Sequence, residues 1–196
     1  MVKDSMIDII ADTRRRQEAA RDAYTPHGHI DILPIVESPP AALERLLYYE
    51  DVEEADYLYT HLVKALFEDA RTRDVSEIRR EKRIYLERFM NEKKLLELDV
   101  LTIPIQGGTR RQKIQEIRAG LPNLLDRINT YDGIRKPGVI DGNTKIILIK
   151  KTVFAAIADS EEWRARGLNV VNRIEAIPFP SNGHQREFLA RIAKYL

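Results

Sequence analysis

The stretch LLDRINTYDGIRKPGVIDGNTKIILIKKT, residues 124–152, decides the expected fold because three kinds of local signal follow one another in it. Its leucine and isoleucine spacing up to Tyr131 is typical of a helix. Two runs rich in β-forming residues then flank Asp141-Gly142, which favours a tight turn because glycine adopts positive φ without strain. We therefore expect a helix followed by a two-stranded hairpin.

The residues before this stretch extend the pattern. The run VLTIPI, residues 100–105, predicts a short strand. Thr109 is a suitable N-cap for a following helix, and Gly120 is a suitable stop for it. A second helix then runs to Tyr131. Residues 75–151 are thus expected to form a helix, a strand, two helices joined at Gly120, and the hairpin.

This order resembles the recognition helix and wing of winged helix-turn-helix regulators of the multiple-antibiotic-resistance repressor type. The resemblance covers about residues 109–152. It implies that the helix from Leu121 to Tyr131 enters the major groove of DNA, while a wing with its tip at Asp141-Gly142-Asn143 reaches the sugar-phosphate backbone. The wing is short and carries Lys145 where such families often place an arginine, which bears on minor-groove insertion more than on phosphate contact.

The distribution of charge agrees with such a unit. The net charge of the whole chain is only +1, which excludes a uniformly basic protein. Residues 110–151, however, hold ten basic side chains and four acidic ones, so this segment carries +6 and the rest of the chain −5. A basic module embedded in a slightly acidic chain favours a polyanionic partner at that module.

Specific roles follow from the resemblance. It implies base contacts by four polar side chains of the second helix, since arginine and asparagine form paired hydrogen bonds with base edges: Asn123, Arg127, Asn129 and Thr130. It implies phosphate contacts, sensitive to salt, by basic side chains of the first helix and the wing: Arg110, Arg111, Lys113, Arg135, Lys136 and Lys145. The protein would then bind double-stranded DNA as a transcriptional regulator or as a replication or packaging factor.

An alternative of another class stays open, in which the same unit makes only protein contacts within a viral particle or a multiprotein complex. The run VIDGNTKIILIKK, residues 139–151, resembles the small β-domain of replicative GINS subunits, too briefly to assign any residue a role. The apolar start of the first helix (Met6, Ile7, Ile9, Ile10) and the tyrosine-rich segment of residues 46–62 exceed the needs of one small domain. We therefore expect a homo-oligomer or partner-docking surface there.

The stretch TPHGHIDILP, residues 25–34, is the candidate metal site, because His27, His29 and Asp31 alternate along it. It resembles part of the metal motif of the metallo-β-lactamase fold, and its His-x-His pair is similar to that of amidohydrolases. In the former, however, a histidine follows the aspartate, where this chain has Ile32. A catalytic zinc needs about three protein ligands. We therefore predict a polar loop, no cofactor and no enzymatic activity, with a metal-dependent hydrolase as the alternative.

Composition sets the remaining expectations. The absence of cysteine excludes disulfides and thiolate sites. No apolar run approaches the roughly 18 residues that span a bilayer, so we expect a soluble, cytoplasmic protein with no membrane partner. The expected fold class is α+β and mainly helical. It has an N-terminal helical region for docking (1–74), a winged-helix-like unit (75–151) and a small C-terminal α/β extension (152–196).

Overall fold

The computed structural model describes residues 2–40, 45–50, 56–105 and 107–196, with side chains from residue 11 onward. Helices dominate the described chain: α1 (Val2–Ala23), α2 (Tyr57–Leu66), α3 (Val75–Arg80), α4 (Lys82–Asn91), α5 (Arg110–Ile128), α6 (Lys151–Ile157), α7 (Glu161–Ala165) and α8 (Gln185–Ile192). The strands are short: β1 (Gly28–His29), β2 (Ile32–Val36), β3 (Leu98–Asp99), β4 (Gly138–Val139) and β5 (Lys145–Leu148). The expected α+β, mainly helical class is confirmed.

A parallel sheet forms the centre of the molecule. Its strand order is β3-β2-β5, with Ile35 of β2 paired to Leu98 on one side and to Leu148 on the other. All five residues of β2 are buried, which explains its continuous apolar sequence, because a parallel sheet is covered on both faces. Two single parallel bridges extend the sheet beyond β5, joining Ile146 to Val170 and Ile149 to Ile177.

The predicted hairpin between residues 138 and 148 is wrong. A turn is present, since Thr144 N–H donates to the Asp141 carbonyl at 3.1 Å, but the strands on its two sides do not pair. Instead β4 pairs in parallel with β1, and β5 pairs in parallel with β2. The apolar side chains Ile146, Ile147 and Leu148 are all buried, and a two-stranded wing standing alone would leave about half of them in water.

The predicted helix break at Gly120 is also wrong, because α5 continues through it and contains Pro122. A Cβ atom added to Gly120 would lie 2.6 Å from Leu101 Cδ2, so the glycine marks a close approach to the segment after β3. A buried apolar stripe explains why the helix persists through these two residues: Ile117, Leu121, Leu124, Leu125 and Ile128. The recognition helix expected from 121 to 131 is therefore the second half of one long helix.

One hydrophobic core joins the three regions expected from the sequence. The sheet takes β2 from the first region, β3 and β5 from the second, and Val170 and Ile177 from the third. Tyr48 and Tyr59 of the tyrosine-rich segment are fully buried, so they are not a spare docking surface. Residues on both sides of the expected boundaries near residues 74 and 151 therefore pack in the same hydrophobic core.

Two further expectations concern the surface. The side chains of Met6, Ile7, Ile9 and Ile10 lie outside the described part, and the docking role expected for them stays a prediction.

Within the described ranges, no helix combines the length and the apolar character that crossing a membrane requires.

Candidate ligand-binding cleft

A cleft of about 510 Å³ opens at the carboxyl ends of the parallel strands. Glu37 and Ser38 follow β2 directly, Asp99 ends β3, and Lys150 lies two residues beyond β5; all four line it. The start of α5 contributes Lys113, and the segment after the last bridge contributes Phe179. The volume lies within the range of roughly 300–1,000 Å³ that small-molecule sites occupy.

The strand order makes this position a switch point of the sheet. The chain leaves β2 and returns through α2, α3 and α4 to β3 on one side, and then passes through α5 to β5 on the other. Connections that depart to opposite sides leave a crevice at the carboxyl end of the central strand, and open α/β sheets bind their ligands in such crevices. The cleft lies at the end of β2, where that rule places a ligand.

Glu37 forms one polar wall of the cleft. Its side chain is only 4% exposed, and both of its oxygens are used. Oε1 accepts a hydrogen bond from Thr152 Oγ1 at 2.6 Å, while Oε2 accepts one from Lys150 Nζ. A buried carboxylate requires such partners. Lys150 itself is 37% exposed on its side chain, so it is the partly accessible member of this group.

Two carboxylic acids, Glu97 and Asp99, lie together on another wall. Burial raises the pKa of Glu97 to about 8, and the nearby charge of Asp99 adds to the rise. Burial likewise raises the pKa of Asp99 to about 6, although Arg21 opposes this. Arg21 Nη2 donates to Asp99 Oδ2 at 3.1 Å, whereas Glu97 Oε1 is buried with no hydrogen-bond partner in the described part of the chain. The pair thus holds a proton near neutral pH.

Asp56 is the fourth carboxylate of the cleft. Its Oδ2 accepts a hydrogen bond from Lys82 Nζ at 2.6 Å, and its Oδ1 caps α2 by accepting from Tyr59 N–H. Lys82 also donates to the Leu46 carbonyl at 3.2 Å. This buried ion pair ties α2 to α4 behind the cleft wall and fixes where α2 begins.

Basic residues lie at the start of α5, and one of them, Lys113, lines the cleft. Thr109 and Gln112 form a capping box that holds the first turn of this helix in place. Arg110 and Lys113 share one side of that turn because they are three residues apart. In the ranges that the structure describes, the side chains of Arg110, Arg111 and Lys113 make no hydrogen bond or ion pair. They join the positive end of a helix dipole, which attracts anions.

The expected base-reading residues do not form one exposed face. Arg127 is half-buried, and its Nη2 donates to the carbonyls of Asp99 and Val100, the latter at 2.9 Å. Thr130 Oγ1 donates to the Arg127 carbonyl at 2.7 Å. Asn123 and Asn129 are exposed. Arg127 therefore braces the end of β3, which the helical pattern alone did not indicate.

The expected phosphate-binding residues do not lie together but are divided between the two ends of α5. Arg110, Arg111 and Lys113 lie at the start of α5, whereas Arg135 hydrogen-bonds the Asn129 carbonyl just past its end. At 1.5 Å per residue, the 19 residues of α5 separate these groups by roughly 28 Å. Unlike the residues at the start of α5, the other three are partnered: Arg135 with Asp132, Lys136 with Asp22, and Lys145 with the Leu196 carbonyl.

The histidine stretch begins the small β1–β4 sheet. His29 Nδ1 lies 3.6 Å from Asp141 Oδ2, and its Nε2 lies 3.7 Å from Asp31 Oδ1. His27 is exposed. Among the described residues no three histidine, aspartate or glutamate side chains are placed to hold a metal ion. His61, the histidine of α2, donates from Nδ1 to the Tyr57 carbonyl at 2.8 Å and contacts Phe188.

Apart from Lys113, which was expected to contact phosphate, the cleft residues were not predicted from the sequence. A signal for them exists, because charged residues directly follow short apolar runs: Glu37 after ILPIV and Lys150 after IILI. This signal indicates a site only once these runs are known to be neighbouring parallel strands, because the carboxyl ends of such strands lie at the same edge of the sheet.

Comparisons with protein-family models, with curated proteins and with solved structures find no match to this chain.

Proposed function

We propose that this protein binds nucleic acid and takes one nucleotide unit into the cleft. The observation that carries the proposal is the division of charge at the switch point. Buried carboxyl groups lie inside the cleft, and cations that are unpartnered among the described residues lie at the start of α5, where Lys113 lines the cleft. Four buried carboxyl groups lie inside the cleft: Glu37, Asp56, Glu97 and Asp99. A base or sugar offers N–H or O–H donors, and a carboxylate oxygen that already has one partner can accept a second bond because it has two lone pairs. Phosphates of the strand bind Arg110 and Lys113.

This mode of binding differs from groove reading by a recognition helix and wing. A base inside the cleft has to be unpaired, so a single strand binds directly, whereas a duplex has to extrude a nucleotide at a cost of a few kcal/mol. We therefore expect a single-stranded oligonucleotide to bind at least as tightly as a duplex of the same sequence.

A titration with fluorescein-labelled oligonucleotides, single-stranded and duplex, at two salt concentrations tests the proposal. In the double variant R110A/K113A we expect weaker binding. We also expect a log–log salt slope smaller by about 0.7 for each phosphate of the single strand that the variant no longer neutralises. The double variant R135A/K136A removes the same charge beyond the other end of α5 and is the control. Because these residues form ion pairs, thermal unfolding first verifies that the variant is folded, and its affinity is expected to be unchanged. Equal losses in both variants, or no binding by the wild type, would contradict the proposal and favour a role in protein assembly.

A second candidate function is acid–base catalysis on the bound unit. The observation that favours it is the pair Glu97 and Asp99, whose pKa values are raised toward neutrality in the cleft. Perturbed carboxyl groups of this kind are suited to proton transfer near pH 7. End-labelled oligonucleotides incubated with the protein and separated by electrophoresis would show product formation, and the variants E97Q and D99N would abolish it. Intact oligonucleotide after prolonged incubation would reject this second function.

A further inference from the structure

Lys150 has a backbone conformation that a lysine rarely adopts. Its φ is 87° and its ψ 134°, and within the described ranges Lys94 is the only other non-glycine residue with positive φ. Glycine takes such angles freely, whereas a Cβ atom makes them unfavourable. Hydrogen bonds fix the conformation from both sides: Lys150 N–H donates to the Ile177 carbonyl at 2.8 Å, and Phe154 N–H donates to the Lys150 carbonyl at 3.0 Å.

The side chain at this strained position lies in the cleft. Its ammonium donates to Glu37 Oε2, and the buried carboxylate of Glu37 is unfavourable for stability unless it has such a partner. A glycine at position 150 facing a glutamine at position 37 would avoid both the strain and the buried charge. Strained residues that persist at a ligand cleft are characteristic of functional sites.

We infer that Lys150 is a ligand-binding residue whose ammonium donates a hydrogen bond to an oxygen of the nucleotide unit. An ammonium has three donors and no acceptor, and Glu37 accepts one of them, so donors remain for a ligand. The oxygen belongs either to a phosphate or to a base carbonyl, since both accept such a bond. Glu37 then acts as a positioning residue that holds Lys150 against the cleft wall. This inference rests on the proposed function.

The test compares Lys150→Met with the double variant E37Q/K150M in the oligonucleotide titration. We expect K150M to bind at least tenfold more weakly. If Lys150 only neutralises Glu37, changing both residues removes the unpaired carboxylate and restores affinity, which would overturn the inference. If Lys150 contacts the ligand, the double variant stays impaired. K94M changes the other positive-φ lysine, which lies between α4 and β3, and is expected to bind as the wild type does.

Thermal unfolding supplies a second readout. E37Q/K150G is expected to unfold at a higher temperature than E37Q/K150M, because glycine relieves the backbone strain, and yet to bind no better. An equal or lower unfolding temperature for the glycine variant would overturn the argument from strain.

Competition identifies the oxygen. If nucleosides and nucleoside monophosphates both displace the oligonucleotide, the oxygen bound by Lys150 belongs to the base. If only monophosphates displace it, the oxygen belongs to the phosphate. In either case K150M has to weaken binding of the competitor concerned. If the wild type binds the oligonucleotide and K150M binds it equally well, only the role of Lys150 is rejected. If the wild type does not bind, the proposed function is rejected as well.

Discussion

Replacing Lys82 with methionine should destabilise the protein strongly while hardly changing its packing volume. Lys82 is 1% exposed and Asp56 3%, and their charged atoms are 2.6 Å apart. Methionine fills similar space but leaves the carboxylate of Asp56 buried without its counter-charge. The Leu46 carbonyl also loses its donor.

The magnitude follows from the burial of the pair. Removing one partner of a buried ion pair costs about 3–5 kcal/mol, against a total stability of about 5–15 kcal/mol for an ordinary domain. The double variant D56N/K82M should recover most of this loss, because it removes the buried charge and asparagine still caps a helix well. At low pH the loss in K82M should shrink, since protonation of Asp56 neutralises the orphaned carboxylate.

Urea unfolding at pH 7, followed by circular dichroism, measures these free energies of unfolding for the wild type, K82M and D56N/K82M. A K82M variant within about 1 kcal/mol of the wild type would refute the reasoning, because a surface ion pair contributes only that much. A double variant no more stable than K82M would refute it as well.

Three further predictions concern other parts of the fold. Burial raises the pKa of Glu97 from 4.5 to about 8, so between these values the folded state holds a proton that the unfolded state has released. The wild type should therefore lose up to about 1.4 kcal/mol of stability per pH unit as pH rises through this window. E97Q should flatten that slope in urea unfolding at pH 5 and pH 8, and an unchanged slope would contradict the assignment. R127A removes donors to the Asp99 and Val100 carbonyls and should destabilise by about 1.5–3 kcal/mol without weakening oligonucleotide binding; weaker binding at unchanged stability would instead support the expected base-reading role. G138A would place a Cβ atom 2.5 Å from Ile30 Cδ1 and should cost about 1–3 kcal/mol by overpacking, whereas a neutral result in thermal unfolding would contradict the close packing of Gly138 on Ile30.

Local signals in the sequence predicted the helices better than the sheet. Thr109 is the N-cap of α5, as expected from the sequence, because capping depends on residues close in the chain. Gly120 and Pro122 misled the prediction because the packing of Leu121 and Leu124 outweighs their weak helix propensity. Asp141-Gly142 does turn the chain, but which strand each side pairs with depends on residues more than a hundred positions away, as Lys145 with Ile32 shows.

The candidate site was harder to predict, for a related reason. Glu37, Glu97 and Lys150 line the same cleft because β2 pairs in parallel with both β3 and β5. The spacing of these residues along the sequence does not indicate this pairing. The basic residues were recognised as a group, yet Arg110 begins α5 whereas Arg135 lies beyond its other end. A count of charges along a segment does not show that a long helix places them far apart.

Photocross-linking tests most directly whether a nucleotide unit enters the cleft. An oligonucleotide carrying 4-thiothymidine is irradiated with the protein, and the cross-linked peptides are identified by mass spectrometry. We predict cross-links to Tyr57 and Phe179, the aromatic side chains of the cleft wall. Cross-links confined to residues 129–145 at the far end of α5, or none at all, would contradict the account.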